Sequence, residues 1–233
     1  MGIAINHAAD LLPRRETLRQ WPACSQCGTR RRLSEWSSLV ALLNKRSTCP
    51  ACGQPRPTFI RSVIVELVTP LFFLFLLFYF DLNLYLFLVL LYTAILILIT
   101  VTDLEHRLIF NVVILPAILL GIIGAFFTPH LSWKAAMLGG AVAFIVVYVA
   151  ALLARGGLGE GDVTLSAFLG LILGFPHIIL SLLFGVFLGG AVVIVLLISR
   201  RVGLKSFVPY GPFLTITGWI MLIWGSEIWQ YYF

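Results

Sequence analysis

Two aspartates stand where an apolar chain would not otherwise place acids. Asp162 closes the stretch Arg155-Gly-Gly-Leu-Gly-Glu-Gly-Asp162, whose four glycines and two carboxylates separate long apolar runs, and Asp103 opens Asp103-Leu-Glu-His-Arg107. If the two carboxyls approach each other, repulsion raises one pKa, leaving one group protonated and the other ionised near neutrality. That is the starting state of an aspartyl protease: the carboxylate draws a proton from water while the acid polarises the scissile carbonyl. Gly159 and Gly161 leave space for a substrate backbone beside Asp162. Main chain of this kind can also pair with an extended peptide, which suits a substrate helix that must unwind before it is cut. The plainer reading of the loop is a glycine-rich connector with Asp162 as the N-cap of the next helix. Glu160 and Glu105 flank the two aspartates, either as solvated loop charges or as contacts for a basic substrate segment.

A second constellation is Cys24-Ser-Gln-Cys27-Gly followed by Cys49-Pro-Ala-Cys52-Gly, with 21 residues between Cys27 and Cys49. Two Cys-x-x-Cys pairs, each followed by Gly, suit two knuckles whose thiolates surround one tetrahedral Zn²⁺. Four thiolates leave the ion no open position, so its expected role is structural.

These groups must be positioned by a chain of 233 residues that is 60% hydrophobic, 11% charged and has a mean hydropathy of +1.02. That composition excludes a soluble globular domain and indicates an all-α polytopic membrane protein. Runs of the length a spanning helix needs, roughly 20 apolar residues or somewhat fewer when shielded, cover Ser62–Phe80, Leu82–Thr102, Leu108–Phe127, Trp133–Ala154, a short Val163–Gly174, His177–Ser199 and Pro209–Ile228. The expectation is about seven transmembrane helices over 62–233, preceded by a small zinc module over 1–61. The module carries ten of the sixteen Lys and Arg and all four Cys.

With the module in the cytoplasm, every Lys and Arg except Lys134 falls on the inner side, fifteen to one, as the positive-inside bias requires. Asp103 and Asp162 then share the cytoplasmic face, because two helices between them return the chain. A cytoplasmic module also argues against disulfides. The net charge of +6 lies beside membrane segments and is read as contact with the lipid bilayer, not with nucleic acid. Glu66, a turn inside the first long helix, requires a partner, either Arg61 or a basic substrate segment. The histidines, His7, His106, His130 and His177, have no metal-ligand spacing.

In this setting the chain resembles the type IV prepilin peptidases. GLGEGD at 157–162 is similar to that family's GxGD element, and TDLEHRLIFN at 102–111 to the segment of its other catalytic Asp, with Asn111 and Pro116 following. SEWSSLVALLNKRSTCPACG resembles its cytoplasmic loop, RSVIVELVTP the exit from that loop, and FVPYGPFL at 207–214 the entrance to its last helix.

The resemblance implies an endopeptidase of the bacterial inner membrane. It would remove a short basic leader from a prepilin or pseudopilin at the cytoplasmic face, with Asp103 and Asp162 as catalytic pair. It also implies methylation of the new N-terminus with S-adenosylmethionine, an activity attributed to the N-terminal region. Typical bacterial members begin with a spanning helix before the cysteines, whereas Met1–Ala23 is polar and shorter, so the donor is expected only if methyl transfer is retained. A presenilin-like protease shares the GxGD logic but not the cysteines, and here Thr102 stands where it would have Tyr. A cation transporter using the same carboxylates, or an assembly factor using the zinc module to hold a partner, leaves other motifs unused.

Overall fold

The computed structural model describes residues 1–14, 21–24, 26–31, 36–44, 48–129, 131–154, 158–200, 203 and 208–232. His130, Arg155, Arg201 and Lys205 lie outside the described residues. Helices follow one another as α1 Gly2–Leu11, α2 Ser38–Leu43, α3 Phe59–Tyr79, α4 Leu84–His106, α5 Asn111–Gly124, α6 Trp133–Leu153, α7 Glu160–Leu173, α8 His177–Ile198 and α9 Gly211–Tyr232. Among the described residues there is no strand, only two isolated bridges in the cysteine module.

The seven apolar segments read from the sequence correspond in order to α3 through α9. Among the described residues, only α3, α4, α6 and α8 are both long and apolar enough to cross a membrane by themselves. A helix of 14 residues, as in α5 and α7, rises about 21 Å, short of a hydrocarbon core about 30 Å thick. α9 has 22 residues but interrupts its apolar run with Thr, Trp and Glu227. A count of seven spans therefore does not follow from the structure.

The chain forms two compact units, Met1–Leu82 and Asn83–Phe233. Hydropathy breaks at 61/62, while packing groups α3 with the N-terminal unit, because α1 and α2 lie against it. Met1–Ala23 thus contributes a helix, α1, whose Gly2 approaches α3 so closely that an added Cβ would stand 3.0 Å from the Glu66 Cα. Glu66 is 5% exposed and its partner is not Arg61. It accepts hydrogen bonds from Ser37 Oγ at 2.8 Å, the Ser38 amide at 2.9 Å, the Leu39 amide at 3.1 Å and Asn6 Nδ2 at 3.4 Å. A carboxylate from α3 thus satisfies amides that the short helix α2 cannot bond internally. Arg61 instead pairs with Asp10.

In the second unit α7 is the centre. Ten of its fourteen residues are buried, and it packs on α5, α6, α8 and α9. Gly139 of α6 and Gly170 of α7 face each other, and a Cβ on Gly170 would stand 2.3 Å from the Gly139 carbonyl oxygen. Small residues at such a crossing let backbones approach and gain dispersion contacts, which is how helices associate where lipid removes the hydrophobic driving force. α4 and α9 are joined by polar pairs as well: Thr100 and Thr215 hydroxyls lie 2.7 Å apart, and Trp219 Nε1 donates to Thr93 Oγ1 at 3.1 Å. Outward side chains such as Phe144, Ile145 and Tyr148 of α6 and Val186 and Phe187 of α8 are exposed, as expected of faces that meet acyl chains.

Candidate active site and cysteine cluster

Asp103 occupies the last turn of α4. The helix ends when Arg107 adopts a left-handed conformation, φ 55°, and its amide closes on the Asp103 carbonyl at 2.8 Å, a common C-terminal geometry. The Asp103 side chain is 5% exposed, and its Oδ2 has no hydrogen-bond partner. Against it lies the first turn of α9: the Gly211 amide faces the carboxyl, and a Cβ on Gly211 would stand 2.6 Å from Oδ2. Any larger residue at 211 would displace the carboxyl or the helix start.

Asp162 lies in the first turn of α7, which begins at Glu160, so it is the third helical residue and not the N-cap. Its Oδ2 accepts the Gly159 amide at 3.2 Å, and the Asp162 amide returns to the Gly159 carbonyl at 3.1 Å. This is the reciprocal bonding of a capping box. The side chain is 8% exposed. Burial pushes its carboxyl up to about 6, opposed by the Gly159 N–H and reinforced by the charge of Asp103. The charge of Asp103 thus reaches Asp162 across 58 intervening residues of sequence. Tyr210 is the third member of the group, since its hydroxyl also feels the charge of Asp162.

The remaining loop residues divide. Gly159 is exposed, and a Cβ there would make only ordinary contacts, so room beside Asp162 exists on this side. At Gly161 the space is taken by Ile109, which an added Cβ would meet at 2.8 Å; this glycine lets the α4–α5 connection pack onto the start of α7. Glu160 is exposed. Glu105 faces His106 at 3.7 Å and touches neither aspartate in any described contact. Sequence reasoning did not single out Tyr210 and Gly211, whose only signal was the resemblance carried by residues 207–214.

The four cysteines converge independently of this pair. Gly28 and Gly53 both have φ 69°, the left-handed conformation that glycine adopts without a Cβ penalty. Their amides close on the Cys24 and Cys49 carbonyls at 3.0 and 2.8 Å. Cys24 Sγ lies 3.9 Å from Cys52 Sγ and Cys27 Sγ lies 3.8 Å from Cys49 Sγ, with all four within 4.8 Å of one another. A tetrahedral ion with Zn–S bonds of about 2.3 Å places its sulfurs about 3.8 Å apart. Amides of Cys27 and Gln26 lower the Cys24 thiol and the Thr29 hydroxyl and amide lower Cys27 to about 6, whereas burial and the neighbouring cysteines push Cys52 up to about 11, so without an ion the four thiols do not all ionise together.

Fold and site together define a helical, multi-pass membrane protein with two buried aspartates and a metal-competent tetracysteine cluster. Residues 90–194, which include both aspartates, match the type IV leader peptidase family. The chain is 31% identical over 210 residues to the prepilin leader peptidase/N-methyltransferase of Pseudomonas putida, an alignment covering 88% of this chain and 72% of that relative. It is 29% identical to the protein of that name in Pseudomonas aeruginosa, covering 90% and 73%, and 26% identical to the one in Bacillus subtilis, covering 90% and 84%. No solved structure matches significantly. The chain belongs to the type IV leader peptidase family.

Proposed function

We propose that the chain is an aspartyl endopeptidase that removes the basic leader of a type IV prepilin or pseudopilin at the cytoplasmic membrane face. What supports this reading is that Asp103 and Asp162, at the C-terminal end of α4 and the N-terminal end of α7, are both buried, that the charge of Asp103 acts on Asp162, and that Asp103 Oδ2 is left unbonded. A water between the two carboxyls gives up a proton to the ionised one as it attacks the scissile carbonyl. The protonated carboxyl donates to the carbonyl oxygen; as the C–N bond breaks, the proton taken from water passes to the amine leaving group and the diol hydroxyl returns its proton to the first carboxyl. Gly211 holds Asp103 from the side of α9, and Gly159 leaves the approach to Asp162 open.

Zn²⁺ suits the cysteine cluster, where Cys24, Cys27, Cys49 and Cys52 would hold it as a closed structural site. The relatives' second named activity, N-methyl transfer, belongs to the same reading.

Purified protein is expected to cleave a prepilin-derived peptide carrying its leader, with Asp103→Asn and Asp162→Asn each slowing cleavage by about 10²–10⁴-fold, the usual weight of general acid–base catalysis. Gly211→Ala, by displacing the Asp103 carboxyl, should reduce the rate without abolishing it. Equal cleavage by the parent and both aspartate variants would remove the pair from the mechanism.

A further inference from the structure

Helix α2 is built inside out for a helix in water. Its small residues point inward, Ser38 at 6% and Ala41 at 1% exposed, while Val40, Leu42 and Leu43 point outward, Leu43 at 84%. A helix on a water-facing surface has the reverse arrangement, with its bulky apolar side chains toward the core. On α1, Ile3 is exposed as well, one residue from the Gly2 that packs against the Glu66 backbone. Both short helices that pack around Glu66 therefore turn apolar side chains outward.

Glu66 also sets the depth of α2. The 21 residues of α3 rise about 32 Å, so nearly all of the helix is needed to cross a hydrocarbon core about 30 Å thick. Outward side chains of α3 are apolar from its first turn, with Ile60, Ile64, Leu67, Leu71 and Leu74 exposed at a spacing that keeps them on one stripe. Glu66 follows Phe59 by seven residues, about 10 Å along the axis. Its carboxylate accepts from Ser37 Oγ and from the Ser38 and Leu39 amides, which fixes the first turn of α2 where α3 already presents an apolar surface. At that level the outward leucines of α2 meet acyl chains and not water.

We infer that α2 is an in-plane anchor, seated in the headgroup–acyl boundary of an anionic leaflet through Val40, Leu42 and Leu43. Interfacial helices bury their apolar face about 5–10 Å into that boundary, the depth at which Glu66 holds α2. Charge favours anionic lipid, since residues 1–61 carry ten Lys and Arg against Asp10, Glu16 and Glu35, and basic residues beside a membrane attract its acidic headgroups. In the chain α2 lies between Cys27 and Cys49, so anchoring it keeps both knuckles at the membrane surface. Such an anchor needs no catalytic activity, and its test reads none.

The full chain is reconstituted in bilayer discs holding equal amounts of phosphatidylglycerol and phosphatidylcholine, with p-benzoylphenylalanine in place of Leu43, and adducts are identified by mass spectrometry after irradiation. The same photoreactive residue in place of Phe78, equally exposed on α3, gives the yield of a lipid-facing position. Lipid adducts are expected at position 43 in comparable yield, with phosphatidylglycerol exceeding phosphatidylcholine about fivefold, the bias of roughly one basic residue near the surface. Adducts to a second copy of the chain, or no lipid adducts at 43 while position 78 forms them, would overturn the anchor. Lipid adducts at 43 without that bias would overturn the choice of an anionic leaflet.

Discussion

Asp162 sits at odds with its surroundings: the first turn of α7 welcomes a carboxylate, while burial resists its ionisation. Burial wins, holding the carboxyl at about 6 against about 3.9 for an unfolded chain. The folded protein therefore binds more protons than the unfolded one between about pH 4 and pH 6, and its stability falls as pH rises through that window. Asp162→Asn removes the ionisation and can still accept the Gly159 amide. It is expected to melt later than the parent at pH 7.5, by on the order of 3 kcal/mol of stability, and to match it at pH 4. Identical melting of the two proteins at pH 7.5 would show that Asp162 ionises without cost. The two aspartates were legible because acids are rare in so apolar a chain. Gly211 was not, since its contact with Asp103 spans 107 intervening residues and no local pattern marks it.

Elements were legible in type and less so in extent. Each apolar run is a helix, but α7 begins at Glu160 where hydropathy begins at Val163, because a helix's first turn is fixed by capping hydrogen bonds and not by apolarity. α1 and α2 gave no comparable signal. α2 has six residues and depends on Glu66 from a helix later in the chain, so its existence is tertiary. The knuckles are the opposite case, since Cys-x-x-Cys-Gly encodes its own turn. Purified protein should hold about one zinc per chain by metal analysis, and Cys24→Ser should lower both the zinc content and the melting temperature of the N-terminal unit. Zinc retained in full by that variant would show that Cys24 is not a ligand. Because binding energy at such a site is also folding energy, a chelator should have the same destabilising effect.

At the scale of the whole molecule, the charge asymmetry predicts which side of the membrane each connection faces. A cysteine introduced at Lys134, which begins α6, should react in intact cells with an impermeant maleimide. One introduced at Arg107, which ends α4, should react only after lysis, as should the native cysteines of the module. Labelling of residue 107 from outside would reverse the orientation and place the aspartate pair on the wrong face for a cytoplasmic leader. The sequence by itself determined a multi-pass helical protein, two cysteine knuckles and two suspect aspartates, because hydropathy, turn chemistry and the rarity of acids in apolar segments are local properties. Tertiary structure decided which groups meet: Asp103 with Gly211, and Glu66 with the start of α2. Those pairings depend on how helices far apart in the chain pack, and no local pattern carries that information.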